Sequence, residues 1–497
     1  MGDGKFMTAD AAVRLIRDGD TVALTGGGGG LLEPSHLLRA IERRFLVGEG
    51  PRNLTAVHAL GLGDKKSEGM NRLAHEGLVR RVIGGHWVWS PRMQRLAQEE
   101  KIEAHVLPSG CVMQLYREIA AGRPGLFTHV GLGTFVDPRQ AGGRMNASAR
   151  DRLVELAEIG GKEYLWYKSF PVNVALIRGS FGDAAGNISL DQEAANLDVH
   201  AAALAAHNSG GIVIAQVRTA VDVNSLPARS VRVPGAIVDA VVVDPSQVMS
   251  YDLPYDPTIS GERRGPLPGE PDEPLTMRQV IARRAHAELV DGAVINYGVG
   301  VAEGVARLVA RRGEVDRHYQ TIEHGIYGGA LLDGLLFGFA RNPAAMVDAP
   351  SQFDFYSGGG LDIAFLGFGE VDARGDVNVS KLGGVPVGPG GFIDIAQNAR
   401  KVVFCGTFDA KGGAVQKFVE RVEQITYSGT EALRRGHRAV YVTERAMFEL
   451  TAEGLVLTEV APGIDIRRDI LDRMGFQPIV RGEPKRMDAA IFAADFA

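Results

Sequence analysis

Short apolar runs alternate with amphipathic stretches along almost the whole chain. The strand-like runs lie at residues 21–25, 211–217, 293–296, 363–366 and 401–404. The helical candidates between them lie at residues 9–17, 34–45, 279–289 and 302–311. Strands that alternate with helices predict βαβ units, and runs that are apolar on both faces are typical of buried parallel strands. The pattern therefore predicts an α/β protein with mainly parallel sheets.

A proline-rich, charged stretch without periodicity interrupts this alternation near the middle of the chain. It contains Pro254, Pro257, Pro266, Pro268, Pro271 and Pro274. Such composition is typical of a linker or an extended crossover. The sequence thus predicts an N-terminal domain at 1–250, a linker at 251–274 and a C-terminal domain at 275–497.

The two predicted domains share a weak internal repeat. Each begins with a helix, an Asp-Gly pair, a strand, a glycine-rich loop and a second helix. The loops are residues 26–30, the first glycine loop, and residues 298–300, the second glycine loop. Later in each half, an Asp-x-x-Gly turn at 183–187 has a counterpart at 372–376. Two matches in the same order suggest two related α/β domains, although turns of this kind are also common by chance.

Composition narrows the class of protein. Glycine accounts for 64 of 497 residues, against a usual share of about 7%. With 45% hydrophobic residues and no collagen-like period, the chain is predicted to fold, so the extra glycine must lie in defined turns. Cys111 and Cys405, far apart in the sequence, provide neither a disulfide framework nor the spacing of a zinc site.

Charge and hydropathy predict a cytoplasmic protein. The net charge of −6 gives no electrostatic surface for nucleic acid. No run reaches the roughly 18 to 20 apolar residues that a membrane span needs, and the N-terminus lacks the apolar segment of a signal peptide. We therefore expect neither nucleic acid nor a membrane as a partner.

Both glycine loops stand between a strand and a helix, where backbone N–H groups can face an anion. A dinucleotide site is disfavoured, because the third glycine after Gly298 and Gly300 is Gly304, one position out of register. No Walker lysine follows either loop, which disfavours an ATPase. A purely structural tight turn remains the alternative for each loop.

Glu323 is the principal catalytic candidate among the carboxylates. It follows an apolar strand and precedes Gly325, Gly328 and Gly329, and the carboxyl ends of strands in open α/β sheets bind ligands. A carboxylate can attack an activated carbonyl, and glycine N–H groups can stabilise the resulting oxyanion. Sugar chemistry would need a second carboxylate, so acyl chemistry is favoured. A capping or ion-paired glutamate remains the alternative.

Several segments together resemble the acetate/propionate CoA-transferases of the family I CoA-transferase superfamily. They lie at residues 84–87, 107–116, 133–138, 142–146, 352–367, 390–398 and 403–408, in order and nearly end to end. The resemblance implies two related open α/β/α domains of the NagB/RpiA/CoA-transferase-like type, with mainly parallel sheets.

The resemblance also implies a mechanism with Glu323 as the nucleophile. Glu323 would attack an acyl-CoA, giving an acyl-glutamyl anhydride and then a glutamyl-CoA thioester. A second carboxylate, such as acetate or propionate, would reverse these steps by ping-pong kinetics. Coenzyme A would enter as substrate, and short-chain acids would be the family default. No tightly bound cofactor and no metal would be needed, and the enzyme would be a homodimer or homotetramer.

Further site residues follow from the same resemblance. Gly390 and Gly391 match the loop that supplies oxyanion-hole amides and contacts CoA, and Gly298 and Gly300 match the loop that faces the nucleophile. Gln114 matches a position near the acyl pocket, with a surface helix glutamine as the alternative.

Other positions are weaker candidates. His324 replaces a small residue, so it would shape the acyl pocket or, as we expect for an extended segment, point away from Glu323. His86, Trp87 and Trp89 are expected in a core or domain interface. Lys381, Arg400 and Lys401 would contact CoA phosphates or simply face solvent, and the first glycine loop stays without a role.

Three alternatives to a transferase remain open at this point. An acyl-CoA hydrolase of the same fold would let water resolve the covalent intermediate. An NAD-binding oxidoreductase is more remote, because the second glycine loop is out of register. A CoA-binding subunit without catalysis would have no use for the retained Glu323.

Overall fold

In the computed structural model, which describes residues 4–267 and 275–493, each half of the chain forms one large sheet. The strands of the first half are β1 (Phe6–Met7), β2 (Thr21–Leu24), β3 (Leu54–His58), β4 (Val79–Gly84), β5 (Glu103–Val106), β6 (Gly125–Thr128), β7 (Val154–Ile159), β8 (Lys162–Lys168), β9 (Val174–Asp183), β10 (Ile188–Ser189), β11 (Ile212–Val221), β12 (Val231–Val233) and β13 (Ala240–Val243).

The second half continues the series with many short strands. They are β14 (Val294–Tyr297), β15 (Tyr319–Ile322), β16 (Ile326–Tyr327), β17 (Ala330–Leu331), β18 (Ala340–Arg341), β19 (Ala345–Met346), β20 (Ile363–Gly367), β21 (Glu370–Val371), β22 (Val377–Asn378), β23 (Lys381–Leu382), β24 (Val385–Pro386), β25 (Lys401–Cys405), β26 (Asp409–Ala410), β27 (Val415–Gln416), β28 (Arg438–Val442), β29 (Ala446–Thr451), β30 (Gly454–Val460) and β31 (Ile479–Arg486).

Helices connect these strands in both halves. They are α1 (Ala9–Val13), α2 (Ser35–Leu46), α3 (Met70–Leu73), α4 (Pro91–Gln98), α5 (Ser109–Ala120), α6 (Val199–Asn208), α7 (Met277–His286), α8 (Glu303–Arg311), α9 (Ala349–Ser357), α10 (Phe392–Ala396) and α11 (Gly429–Arg434). The first helix is shorter than its predicted span of 9–17. The N–H groups of Leu15 and Ile16 bind carbonyls only three residues back, and the Arg17 N–H binds the Asp20 carboxylate in the turn that leads into β2.

The strand order explains why the two halves look alike in sequence. The first sheet runs β1-β13-β11-β9-β2-β3-β4-β5, and the pairs along this path are parallel. The second runs β19-β16-β15-β14-β20-β25-β28-β29-β30-β31, with a parallel centre from β15 to β28. The order β13-β11-β9-β2-β3 thus reappears as β28-β25-β20-β14-β15, and β2 and β14 each lead into a glycine loop.

This arrangement confirms the predicted fold class of open α/β sheets with mainly parallel strands. The boundaries of the domains at 1–250 and 275–497 stay a prediction. Residues 268–274 of the predicted linker lie outside the described residues. Part of the remainder packs against the protein, since Ile259 is fully buried and the Asn342 N–H donates to the Thr258 carbonyl at 2.7 Å.

The two halves also pack directly on one another through buried polar contacts. The Gly110 N–H at the start of α5 donates to Asp394 Oδ2 of α10 at 3.1 Å, and the Gly131 N–H donates to Gln397 Oε1 at 2.7 Å. The Trp87 N–H donates to the Val387 carbonyl at 2.8 Å. None of the helices within 4–267 and 275–493 has the length and apolar character that crossing a membrane requires.

Burial of Asp394 at this contact predicts a pH-dependent stability. Loss of hydration raises the pKa of Asp394 from 3.8 to about 7, against the opposing effect of the Gly110 N–H. The protonated carboxyl therefore favours the folded state below pH 3.8, and this contribution is lost as the pH rises through about 7.

We expect Asp394→Asn to remove the loss of stability that accompanies ionisation of Asp394, because an amide does not ionise and its oxygen can still accept the hydrogen bond from the Gly110 N–H. Relative to the unsubstituted protein, the variant should gain stability between pH 4 and 7 at up to about 1.4 kcal/mol per pH unit. Urea unfolding at several pH values checks this difference. A difference in unfolding free energy that does not change with pH would contradict the role of Asp394.

Candidate active site

The turn that follows β15 presents the Glu323 carboxylate. The Gly325 N–H donates to the Ile322 carbonyl at 3.0 Å, which closes a tight turn with Glu323 and His324 as its central residues. Gly325 has a φ of +94°, and a Cβ there would lie 2.1 Å from the Val347 carbonyl oxygen. Glycine is therefore required to end the turn. Glu323 is left partly exposed at the carboxyl end of a parallel strand, where open α/β sheets bind ligands.

A buried polar network lies beneath the carboxylate. The Asn296 amide of β14 donates to Glu323 Oε2 at 3.5 Å and to the Tyr356 hydroxyl at 3.3 Å. That hydroxyl donates to Thr321 Oγ1 at 2.8 Å, and Thr321 donates in turn to the Ile295 carbonyl at 2.8 Å. Asn296, Thr321 and Tyr356 are all buried, so the Asn296 amide is held in a fixed direction.

The electrostatics of this network keep the tyrosine protonated. Burial first, and then the nearby Glu323 carboxylate, raise the pKa of Tyr356. Its hydroxyl is consequently a hydrogen-bond donor at all ordinary pH values. The sequence analysis missed Asn296 and Tyr356. The available signal was a polar residue, Asn296, within an otherwise apolar strand that leads into a glycine loop.

The second glycine loop lies at the same edge of the sheet as Glu323. It follows β14, which pairs in parallel with β15 so that Asn296 stands opposite Thr321. A Cβ at Gly298 would lie 2.9 Å from the Leu366 side chain, whereas nothing in the described part of the chain lies within 4 Å of the Cβ position at Gly300. The structure therefore brings Gly298 and Gly300 to the same edge of the sheet as Glu323, with open space beside Gly300.

The loop that contains Gly390 and Gly391 lies against the first half of the chain. The Gly390 N–H donates to the Gly85 carbonyl at 2.9 Å, and the Gly390 carbonyl accepts from the Ser109 N–H at 2.9 Å. Gly391 is the N-cap residue of α10. The amide of Gly390 is thus already engaged between the two halves. His86 lies beside Gly390, and Trp87 is fully buried.

Gln114 connects α5 to α9, the helix that carries Tyr356. Its side-chain amide donates to Asp354 Oδ1 at 2.8 Å, and Arg117 binds the same carboxylate. Gln114 is 5% exposed. The surface-glutamine alternative is therefore wrong, while a place near the acyl pocket stays a prediction.

His324 does not lie in an extended segment, as the sequence analysis expected, because the chain turns at this point. Its ring is buried, and Nδ1 lies 2.9 Å from the Gly338 carbonyl oxygen. Glu323 and His324 therefore have different hydrogen-bond partners.

The three candidate phosphate-binding cations have different surroundings. Arg400 pairs with Asp362, and Lys401 pairs with Glu288. Lys381 lines a polar cavity of about 530 Å³ together with Arg144.

Among the described residues, no cluster of three His, Cys, Asp or Glu side chains could hold a metal ion. That no metal is needed stays a prediction.

Comparison with known proteins decides the family. A model of coenzyme A transferases matches residues 6–244. Acetate CoA-transferase YdiF of Escherichia coli (strain K12) is 42% identical over 98% of this chain and 94% of its own length. The chain belongs to the coenzyme A transferase family. It is an enzyme that transfers CoA between an acyl-CoA and a carboxylate, which leaves the oxidoreductase alternative without support.

Further relatives resemble this CoA-transferase to the same degree. Caffeate CoA-transferase of Acetobacterium woodii is 42% identical over 98% of this chain and 97% of its own length. The crystal structure of the acyl-CoA transferase YdiF of E. coli O157:H7, as a thioester complex with CoA, superimposes with a TM-score of 0.93 at 41% identity, covering 99% of this chain and 96% of that one. The family assignment thus holds for both halves of the chain.

Proposed function

We propose that the enzyme moves CoA from a short-chain acyl-CoA to a free carboxylate by ping-pong kinetics, with Glu323 as the nucleophile. The observation that carries this proposal is the partly exposed Glu323 carboxylate at the carboxyl end of β15, hydrogen-bonded to a buried Asn296. A related transferase of known structure has been captured as a thioester complex with CoA, which agrees with a covalent intermediate. The relative that acts on acetate supports a short acyl chain.

The proposed reaction balances without a redox partner or a net proton. A Glu323 oxygen attacks the thioester carbonyl, the C–S bond breaks, and CoA leaves as a thiolate with the bonding electron pair. The thiolate attacks the glutamyl carbonyl of the anhydride, the glutamyl C–O bond breaks, and the first acid leaves as a carboxylate. A second carboxylate attacks the glutamyl-CoA thioester and runs the two steps in reverse. Splitting one transfer into such steps is the advantage of a covalent nucleophile.

The surrounding residues have separate proposed roles. Asn296 holds one oxygen of Glu323, which directs the other toward the thioester. The Gly390 N–H already binds the Gly85 carbonyl, and the Gly298 N–H binds the Phe365 carbonyl at 2.7 Å. We assign oxyanion stabilisation to the loop with Gly298 and Gly300 because open space lies beside Gly300 at the same edge of the sheet as Glu323. Gly390 and Gly391 would then contact CoA.

Trapping the intermediate tests the proposal. The enzyme is incubated with acetyl-CoA alone, treated with borohydride and digested, and the peptide with Glu323 is examined by mass spectrometry. We expect modification at Glu323, together with exchange of CoA into labelled acetate. Absence of both the modification and the exchange would contradict the transferase mechanism. Release of acetate and CoA without an acceptor would instead favour an acyl-CoA hydrolase.

Tyr356→Phe is expected to lower kcat about tenfold with little change in KM. The substitution removes a hydroxyl that orients Asn296 and binds Thr321, and one such hydrogen bond is worth about 1 kcal/mol. Tyr319→Phe is the matched control, because Tyr319 is 66% exposed at the opposite end of β15. Steady-state kinetics with acetyl-CoA and propionate measure both parameters. Equal kcat values for the two variants would refute the role of Tyr356.

Assembly and location are also part of the proposal. The family resemblance supports a homodimer or homotetramer in the cytoplasm, with acyl-CoA and small carboxylic acids as its small-molecule partners. Size-exclusion chromatography with light scattering tests the assembly, since a species of 53.1 kDa would be a monomer. Cell fractionation tests the location.

A further inference from the structure

A hairpin begins seven residues beyond Glu323 and reaches the first half of the chain. Its strands β17 and β18 pair through Ala330 and Arg341. Between them, residues 333–338 form the hairpin tip, which contains a 3-10 turn at Gly334–Leu336. The tip is therefore connected to the nucleophile by a short length of chain.

One side of the hairpin tip contacts His324. The Nδ1 atom lies 2.9 Å from the Gly338 carbonyl oxygen, and because a carbonyl can only accept, Nδ1 carries the hydrogen. Gly338 has a φ of +92°, and a Cβ there would lie 2.1 Å from His324 Cε1. The imidazole therefore packs directly against the Cα of Gly338. Any side chain at position 338 would occupy the space that the ring fills.

The other side of the hairpin tip contacts the first glycine loop. A Cβ at Gly29 would lie 2.0 Å from the Leu335 carbonyl oxygen, and the φ of Gly29 is +72°. Gly29 is itself fixed, since its N–H donates to the Gly63 carbonyl at 3.0 Å and its carbonyl accepts from the Tyr251 N–H at 2.9 Å. The first glycine loop thus offers the tip a rigid surface without side chains.

We propose that His324 is a positioning residue that fixes the turn bearing Glu323. Its ring holds the hairpin tip through Gly338, and the tip rests on Gly29, so both halves of the chain constrain the nucleophile. This inference rests on the proposed function, in which Glu323 attacks the thioester. A misplacement of about 1 Å can cost about 10²-fold in rate. Loss of the contact between His324 and the hairpin tip should therefore slow acylation rather than weaken acyl-CoA binding.

Three substitutions of His324 test whether its ring positions the turn that bears Glu323. His324→Ala removes the ring, His324→Leu fills the space without a donor, and His324→Asn retains an N–H donor near the position of Nδ1. Single-turnover formation of the Glu323 adduct is measured at increasing acetyl-CoA. We expect His324→Ala and His324→Leu to be about 10- to 100-fold slower with unchanged half-saturation, and His324→Asn to restore most of the rate.

Two glycine substitutions test the contacts on either side of the hairpin tip. Gly338→Ala and Gly29→Ala should each slow adduct formation at least about tenfold. Their controls are Gly77→Ala and Gly436→Ala, at positions with φ values of +86° and +74° where nothing in the described ranges lies within 4 Å of a Cβ. In the His324→Ala background, Gly338→Ala should cost little further rate, because the ring it would displace is gone.

The outcomes separate this inference from the function on which it rests. If the unsubstituted enzyme forms the Glu323 adduct and His324→Leu forms it equally fast, the positioning role is refuted while the proposed function stands. The same holds if Gly29→Ala behaves like Gly436→Ala. If the unsubstituted enzyme forms no adduct, both the proposed function and the positioning role fail.

Discussion

Replacing Glu323 with Gln is expected to abolish CoA transfer. The amide is nearly the same size and can still accept the Asn296 hydrogen bond, but it cannot attack a thioester as a carboxylate does. Removal of a covalent nucleophile typically costs several orders of magnitude, and we expect a loss in kcat of at least about 10⁴-fold. The exchange of labelled acetate into acetyl-CoA measures this loss over the required range.

A second substitution separates the chemistry of Glu323 from its placement. Glu323→Asp retains a carboxylate but withdraws it by one methylene, so the loss should be smaller, about 10²-fold. Glu453→Gln is the control for loss of one carboxylate, because Glu453 is exposed and pairs with Arg481 at the surface. Thermal unfolding midpoints should be similar for all of these variants. Exchange by Glu323→Gln within tenfold of the unsubstituted enzyme would rule out Glu323 as the nucleophile.

The fold could be predicted, and Glu323 could be singled out as the candidate nucleophile, because their signals are local in the sequence. Strands such as 401–404 are apolar on both faces, which only a covered parallel sheet satisfies. The repeated order of turns and glycine loops reflects the repeated order of strands around β2 and β14. Glu323 stood out because a charged residue followed an apolar strand and preceded glycines.

The rest of the candidate site depends on contacts between distant segments. Asn296 contacts Glu323 because β14 pairs with β15, and Tyr356 of α9 contacts Asn296 through the packing of that helix. Neither arrangement is encoded in any one segment. His324 was expected in an extended segment, yet Gly325 closes a turn there. The contact between Gly29 and Leu335 joins residues some 300 positions apart, so no local pattern could reveal what the first glycine loop does.

Gly325→Ala is expected to cause the second-largest loss of function. A Cβ at this position would lie 2.1 Å from the Val347 carbonyl oxygen, and a φ of +94° is itself unfavourable for alanine. Both effects act on the turn that carries Glu323, so the backbone must shift at the point that sets the position of the Glu323 carboxylate. We expect a loss of stability of about 3 kcal/mol or more and a fall in kcat of about 10²-fold or more.

Gly48→Ala separates the clash at Gly325 from the cost of alanine at a positive φ. Gly48 has a φ of +86°, and nothing in the part of the chain that the structure describes lies within 4 Å of its Cβ position. Its substitution should cost about 1 kcal/mol and leave transfer intact. Urea unfolding and acetate exchange on both variants provide the comparison. If Gly325→Ala lost no more stability than Gly48→Ala and kept its exchange rate, the turn would tolerate a side chain, and its conformation would not be what places Glu323.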